Sequence, residues 1–217
     1  MNESIRLRGL IFDFDGTLAD TLPVLFAAFR RAFAEHGGLH FGDDEIEAMF
    51  GMNEEGILRK VLPSGHEAAL ETFLTEYERS HDRSPAPFEG ILDLLSLLEA
   101  RGVLAAIVTG KGEGSAEISL RRLDLARHFS IVETGSAQAR IKVQSIARVL
   151  AAWNLPAPSV AYVGDAVTDI HDARDAGVIA LSAAWASTAR PAALAAENPD
   201  ALFRSPAELA AWVSKRS

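Results

Sequence analysis

The spacing of apolar residues along the chain changes at two points. Residues 9–14 form a short apolar run of the kind found in buried strands. From residue 22 to about residue 84, apolar residues recur at helical spacing, and no clear strand is predicted there. After the Pro-rich break "SPAPFEG" at 84–90, short apolar runs alternate with helical patterns. This order predicts an α/β fold whose parallel sheet is interrupted by an all-helical insertion.

The alternating part predicts four strands that join the first strand in one sheet. Pro23 and the pair Gly37-Gly38 mark the two ends of the first helix of the insertion. An Ala-rich stretch around 183–196 is predicted to form surface helix and loop. The predicted strands are 104–108, 130–133, 160–164 and 178–181, and the predicted helices between them are 91–101, 115–123, 143–153 and 169–176.

Polar side chains follow three of the predicted strands. Asp13 and Asp15 would share one face of an extended strand and repel each other. Thr109 follows the second strand, and Asp165 and Asp169 follow the fourth. Because ligands of parallel sheets bind beyond the carboxyl ends of the strands, these residues should gather at one site. A cluster of carboxylates without cysteine favours Mg²⁺ over zinc, and the metal would remove the repulsion.

Two carboxylates with a metal suit phosphoryl transfer. One carboxylate attacks phosphorus, and the other passes a proton to the leaving group and later takes one from water. The Thr109 hydroxyl, backbone N–H groups around Gly16 and Gly110, and a cation would bind the phosphoryl oxygens. Lys142 is the candidate cation, whereas Lys111 is expected to be solvated.

Composition narrows the class of protein. The 217 residues carry a net charge of -9, and no basic run stands out, which argues against nucleic-acid binding. The absence of cysteine excludes disulfides, thiolate zinc sites and a cysteine nucleophile. The first apolar run is too short for a signal peptide, and no segment has the roughly 18 apolar residues of a membrane span. We therefore expect a soluble, cytoplasmic protein without a membrane partner.

Four short motifs resemble those of the haloacid dehalogenase-like (HAD) hydrolase superfamily in order and spacing. They are "DFDGT" at 13–17, "VTG" at 108–110, Lys142, and "VGDAVTDIHDARDAG" at 163–177. The chain looks most like the phosphoglycolate phosphatase and pyrophosphatase branch. The resemblance implies a Rossmann-like α/β core formed by residues 1–17 and 87–217, with a helical cap at 18–86.

The resemblance also implies a role for each motif residue. Asp13 would be the nucleophile that forms an aspartyl-phosphate, and Asp15 the general acid and base. Mg²⁺ would be held by the Asp13 carboxylate, the Asp15 backbone carbonyl and Asp165, with Asp169 in support. The residues that would bind the phosphoryl group are Thr109, Gly110 and Lys142.

Two parts of the chain leave assignments open. The third motif of this branch usually reads Lys-Pro, but here it is "RIKVQS", so that Arg140 is a possible substitute for Lys142. In the cap, "FGMNEEGIL" at 50–58 interrupts the helical pattern with two glycines. By resemblance to the matching loop of similar family members, Asn53 or Glu54 would select the substrate there; an ordinary loop is the alternative.

The sequence predicts a Mg²⁺-dependent phosphatase that acts on a small phosphorylated metabolite such as phosphoglycolate. The alternatives are a phosphomutase of the β-phosphoglucomutase type, an inorganic pyrophosphatase and a catalytically silent binding protein. A dinucleotide site at "TGKGEGS" is disfavoured, because Ser115 occupies the third glycine position and the aspartates would have no role. The oligomeric state is expected to be monomer or homodimer.

Overall fold

A six-stranded, all-parallel sheet forms the centre of the molecule. The computed structural model describes residues 6–217. The strands lie in the order β3-β2-β1-β4-β5-β6, so that β1 lies between β2 and β4. Strands on either side of β1 extend the sheet in opposite directions, and ligands bind at such a switch point. The strands are β1 (Gly9–Phe12), β2 (Leu104–Val108), β3 (Ile131–Glu133), β4 (Val160–Gly164), β5 (Ile179–Ala183) and β6 (Ala201–Phe203).

Ten α-helices lie within the described residues. The first four, which follow β1 in the chain, are called the cap helices below: α1 (Leu22–Gly37), α2 (Asp43–Glu47), α3 (Glu54–Val61) and α4 (His66–Ser80). The other six are α5 (Ile91–Arg101), α6 (Glu113–Arg122), α7 (Lys142–Trp153), α8 (Val167–Asp175), α9 (Pro191–Ala196) and α10 (Pro206–Ser214).

The predicted fold class is confirmed, and the predicted bounds of β2, β4 and α5 match the structure. Helix α1 ends as expected, because Gly38 adopts a left-handed conformation and its N–H bonds the Ala34 carbonyl. Strand β6 and helix α10 were not predicted. With three residues, β6 is too short to show a periodic pattern, and only its pairing with β5 identifies it.

The sheet is buried on both faces. Leu10 and Phe12 of β1 pack on one face against α5 and α10, whereas Ile11 packs on the other face against α7 and α8. All three side chains are fully buried. This alternation within one apolar run is typical of a central parallel strand covered by helices on both sides.

The cap helices have an apolar core of their own. Phe29 of α1 packs on Phe73 of α4, with ring centroids 4.7 Å apart, and Phe33 and Tyr77 extend the same buried cluster. Each large side chain of this kind contributes about 1.5–3 kcal/mol by burial. The cap helices all fall within the range predicted for the cap, and the exact division at residues 18 and 86 stays a prediction.

None of the helices within residues 6–217 combines the length and the apolar character needed to span a membrane.

Candidate active site

The carboxyl ends of β1, β2 and β4 open into one cavity of about 190 Å³. Asp13 follows β1, Thr109 follows β2 and Asp165 follows β4, so the strand order places the three side by side. Nine of the residues predicted for the site line this cavity: Asp13, Asp15, Asn53, Glu54, Thr109, Gly110, Lys142, Asp165 and Asp169. Gly16 is not among the lining residues, and its backbone N–H donates to the Ala19 carbonyl at 3.0 Å. The structure thus brings the predicted residues together, while their individual roles stay predictions.

Two glycines, one after β1 and one at the end of β4, leave room for aspartate side chains at the carboxyl edge of the sheet. Gly16 has a φ of 70°, a left-handed conformation that favours glycine. The Asp165 carboxylate occupies the space where a side chain at Gly16 would lie. Gly164 likewise leaves room for the Asp169 carboxylate. The glycines of the first and fourth motifs therefore permit close approach of the aspartates.

Three aspartates form the acidic centre of the cavity. One oxygen from each of Asp13, Asp165 and Asp169 lies within 4.8 Å of the other two. The backbone N–H of Phe14 donates to Asp13 Oδ1 at 2.6 Å, and that of Ala166 donates to Asp169 Oδ2 at 3.0 Å. Burial, together with the charges of Asp169 and Asp13, raises the pKa of Asp165 well above its ordinary value. The cluster therefore favours a bound cation.

Lys142 supplies one positive charge to this cluster. It is the first residue of α7, and its Nζ donates to Asp13 Oδ2 at 2.8 Å and to Asp169 Oδ1 at 2.6 Å. Burial would lower the pKa of Lys142, but the charges of Asp13 and Asp169 outweigh it and raise the pKa. Arg140 instead donates from Nε to Asp172 at 3.2 Å. Lys142, and not Arg140, therefore contacts the predicted nucleophile.

The carboxylate oxygens of the aspartate cluster suit a hard divalent cation. The oxygens of Asp13, Asp165 and Asp169 are the ligand type that Mg²⁺ prefers, and no cysteine or histidine lies among them. The Asp15 side chain is not part of this group, because its Oδ1 accepts hydrogen bonds from Thr21 at 2.5 Å and Lys111 at 3.1 Å. The family resemblance assigns the contribution of Asp15 to its backbone carbonyl, and that assignment stays a prediction.

The expectation that Lys111 is solvated is wrong. Lys111 is 2% exposed, and its Nζ bonds Asp15 and donates to the Tyr77 hydroxyl at 2.7 Å. The same atom lies 4.4 Å from the centre of the Tyr77 ring. Burial would lower the pKa of Lys111, but Asp15 and Tyr77 raise it above its ordinary value. The charge is thus retained in a buried position.

A buried chain of polar contacts continues from Lys111 away from the cavity. The Tyr77 hydroxyl lies 2.8 Å from Ser119 Oγ, and His81 Nε2 lies 3.1 Å from the same oxygen. Tyr77 belongs to α4 and Ser119 to α6, so the chain links a cap helix to the sheet-forming part. Sequence reasoning missed it because Tyr77 has the helical spacing of an ordinary core residue.

Asn53 and Glu54 join the cap helices to two loops that follow strands. Asn53 accepts from the backbone N–H of Gly56 at 3.0 Å and donates to the Gly135 carbonyl at 3.2 Å. Glu54 is 4% exposed and accepts from the Gly112 N–H and from Ser115 Oγ. These contacts fix the position of the cap segment 50–58. Selection of substrate by Asn53 or Glu54 stays a prediction.

Comparison with known proteins agrees with the geometry. The family described as haloacid dehalogenase-like hydrolase matches residues 10–183. A phosphoglycolate phosphatase of Synechococcus elongatus is 30% identical over 207 residues, covering 94% of this chain and 95% of that protein. An N-acetylmuramic acid 6-phosphate phosphatase of Pseudomonas putida is 31% identical over 180 residues, covering 80% of this chain and 81% of that protein.

Solved structures share the fold. The structure of CbbY from Rhodobacter sphaeroides in complex with phosphate has a TM-score of 0.78 at 19% identity, covering 94% of this chain and 96% of that chain. At this identity the likeness concerns the fold alone. The match of the family to most of the chain, together with the relatives, shows that the chain belongs to the haloacid dehalogenase-like hydrolases.

Proposed function

We propose that this phosphoric monoester hydrolase is a Mg²⁺-dependent phosphatase that forms an aspartyl-phosphate on Asp13. The observation that carries the proposal is the position of the Asp13 carboxylate, which bonds Lys142 and lies in a cluster with Asp165 and Asp169. The second carboxylate, Asp15, follows two residues later and is held separately by Thr21 and Lys111. Two carboxylates in such different surroundings suit two different roles.

Asp13 and Asp165, with the Asp15 carbonyl, would hold Mg²⁺, and Asp169 would support them. When bound, the ion would neutralise the carboxylates and the phosphoryl oxygens. Lys142 would contact the same oxygens from the α7 side, because its Nζ already lies beside Asp13. The Thr109 hydroxyl and the backbone at Gly110 line the cavity and would donate the remaining hydrogen bonds.

The reaction would proceed in two steps. An Asp13 oxygen attacks phosphorus, the bond from phosphorus to the ester oxygen breaks, and Asp15, which begins the cycle protonated, donates its proton to the departing oxygen. Water then attacks the phosphorus of the aspartyl-phosphate while Asp15 takes its proton, which releases phosphate and restores Asp13. The cap helices would exclude bulk water during this sequence.

The direct test of the function is phosphate release from a panel of small phosphate esters and pyrophosphate, with Mg²⁺ and then with EDTA. We expect release from one or more esters with Mg²⁺, loss of release with EDTA, and recovery when Mg²⁺ is returned. A phosphomutase would convert a sugar phosphate to an isomer with little free phosphate. Strong release from pyrophosphate alone, or no reaction with folded protein, would contradict the proposal.

Asp13→Asn should abolish turnover, because an amide cannot attack phosphorus although it has nearly the same shape. We expect kcat to fall by at least about a thousandfold with the fold retained. Asp93→Asn, an exposed site on α5, is the matched control and should keep wild-type kcat. Steady-state kinetics measure kcat, and circular dichroism measures whether the fold is retained. If Asp13→Asn kept a tenth of wild-type activity, Asp13 would be excluded as the nucleophile.

Lys111→Met should lower kcat because it removes the charge that positions Asp15. We expect a decrease of about 10–100-fold in kcat with a smaller change in KM. Loss of one partner of this buried ion pair should also reduce the free energy of unfolding by about 3–5 kcal/mol.

Lys111→Arg keeps the charge and tests whether charge at this position is what matters. We expect it to recover part of the lost kcat, and urea unfolding of both variants separates the effect on kcat from the effect on stability. Wild-type kcat in a folded Lys111→Met variant would show that the charge of Lys111 is not needed to position Asp15.

A further inference from the structure

The two sides of the active-site cavity differ in chemistry. The side formed by the strand ends carries the aspartates and three cations, Lys111, Arg140 and Lys142. The side formed by the cap helices and their loops is mainly apolar. Its lining side chains are Leu22, Leu25, Phe29, Phe50, Met52 and Ile57, with Glu47, Asn53 and Glu54 as the polar members.

Each cation that lines the cavity already has a carboxylate partner. Lys142 bonds Asp13 and Asp169, Lys111 bonds Asp15, and Arg140 bonds Asp172. Lys142 is the one placed to contact a transferring phosphoryl group. The Lys111 side chain is fully buried and its ammonium group bonds the Asp15 carboxylate, so its charge is already balanced by a carboxylate of the protein.

The cap side offers no positive charge to a leaving group. Among the described cap residues that line the cavity, none is Lys, Arg or His. Its two ionisable side chains are carboxylates: Glu54, which bonds the N-terminal end of α6, and Glu47, which pairs with exposed Arg190 at 2.8 Å. A carboxylate or second phosphate on the substrate would therefore lie among apolar side chains and like charges, which is unfavourable.

Apolar surface remains available on the same side. Phe50 is 41% exposed although it lines the cavity and stacks on Phe26, with ring centroids 6.2 Å apart. Leu22 and Met52 are also partly exposed. A single water molecule needs roughly 10–15 Å³ of such space, so a cavity of about 190 Å³ holds more than the phosphoryl group.

We propose that the substrate is a phosphate monoester whose leaving group is uncharged and places an apolar face against Leu22, Phe50 and Met52. The inference rests on the proposed phosphatase function and adds the class of substrate. It disfavours substrates with a second anionic group, such as phosphoglycolate or pyrophosphate, although a relative with 30% identity is a phosphoglycolate phosphatase.

The test compares isobutyl phosphate with phosphoglycolate, because an isopropyl group has nearly the shape of the carboxylate it replaces but no charge. The quantity measured is the ratio of kcat/KM for isobutyl phosphate to that for phosphoglycolate, with Mg²⁺ present. For the wild-type protein we expect a ratio of about ten or more.

Variants on the cap side of the cavity show whether that side determines the ratio of the two kcat/KM values. Glu47→Gln removes a negative charge and should lower the ratio by about threefold, and Phe50→Lys, which adds a positive charge, should lower it further. Glu55→Gln is the matched control: Glu55 is the next carboxylate after Glu54, does not line the cavity and pairs with Arg59 on the same helix. It should keep the wild-type ratio.

The outcomes separate the two proposals. A wild-type ratio at or below one, with phosphate released, would overturn the assigned substrate class and leave the phosphatase function standing. A high ratio that Glu47→Gln and Phe50→Lys leave unchanged would also overturn the inference, because the cap side would not set the preference. No release from either ester or from the wider panel would overturn the phosphatase function, and the substrate class with it.

Discussion

The repulsion among three aspartates is the constraint on which the rest of the active site depends. Oxygens of Asp13, Asp165 and Asp169 lie within 4.8 Å of one another at the carboxyl edge of the sheet. Burial of such a cluster is unfavourable unless positive charge balances it. Lys142 provides one charge through two hydrogen bonds, and the clustered carboxylate oxygens are of the type that a divalent cation prefers. The glycines at 16 and 164 leave the space that this close approach requires.

A second buried ion pair connects the sheet to the cap helices. Lys111 bonds Asp15 and donates to Tyr77 of α4, while Glu54 of α3 accepts hydrogen bonds at the start of α6. Through these contacts the position of Asp15 depends on the packing of a helix distant in sequence. Displacement of the cap helices would therefore affect both the shape of the cavity and the surroundings of the proposed acid and base.

The sequence predicted those parts of the fold and site that local patterns encode. Apolar runs followed by Asp13, Thr109 and Asp165 were sufficient to place these residues at one edge of a parallel sheet. Lys111 could not be assigned in this way, because its burial depends on Tyr77, a residue of another helix that joins it only in the folded chain. Strand β6 was missed for a similar reason, since its three residues are recognisable only beside β5.

The Asp13 carboxylate is proposed to carry the phosphoryl group during turnover. The most direct measurement is rapid quenching of wild-type protein during hydrolysis, followed by borohydride reduction and mass spectrometry of the peptide that contains residue 13. Reduction converts an aspartyl-phosphate to homoserine, so we expect homoserine at position 13 only when substrate and Mg²⁺ are both present. Homoserine at another aspartate, or none during rapid turnover with trapping verified on a known acyl phosphate, would contradict it.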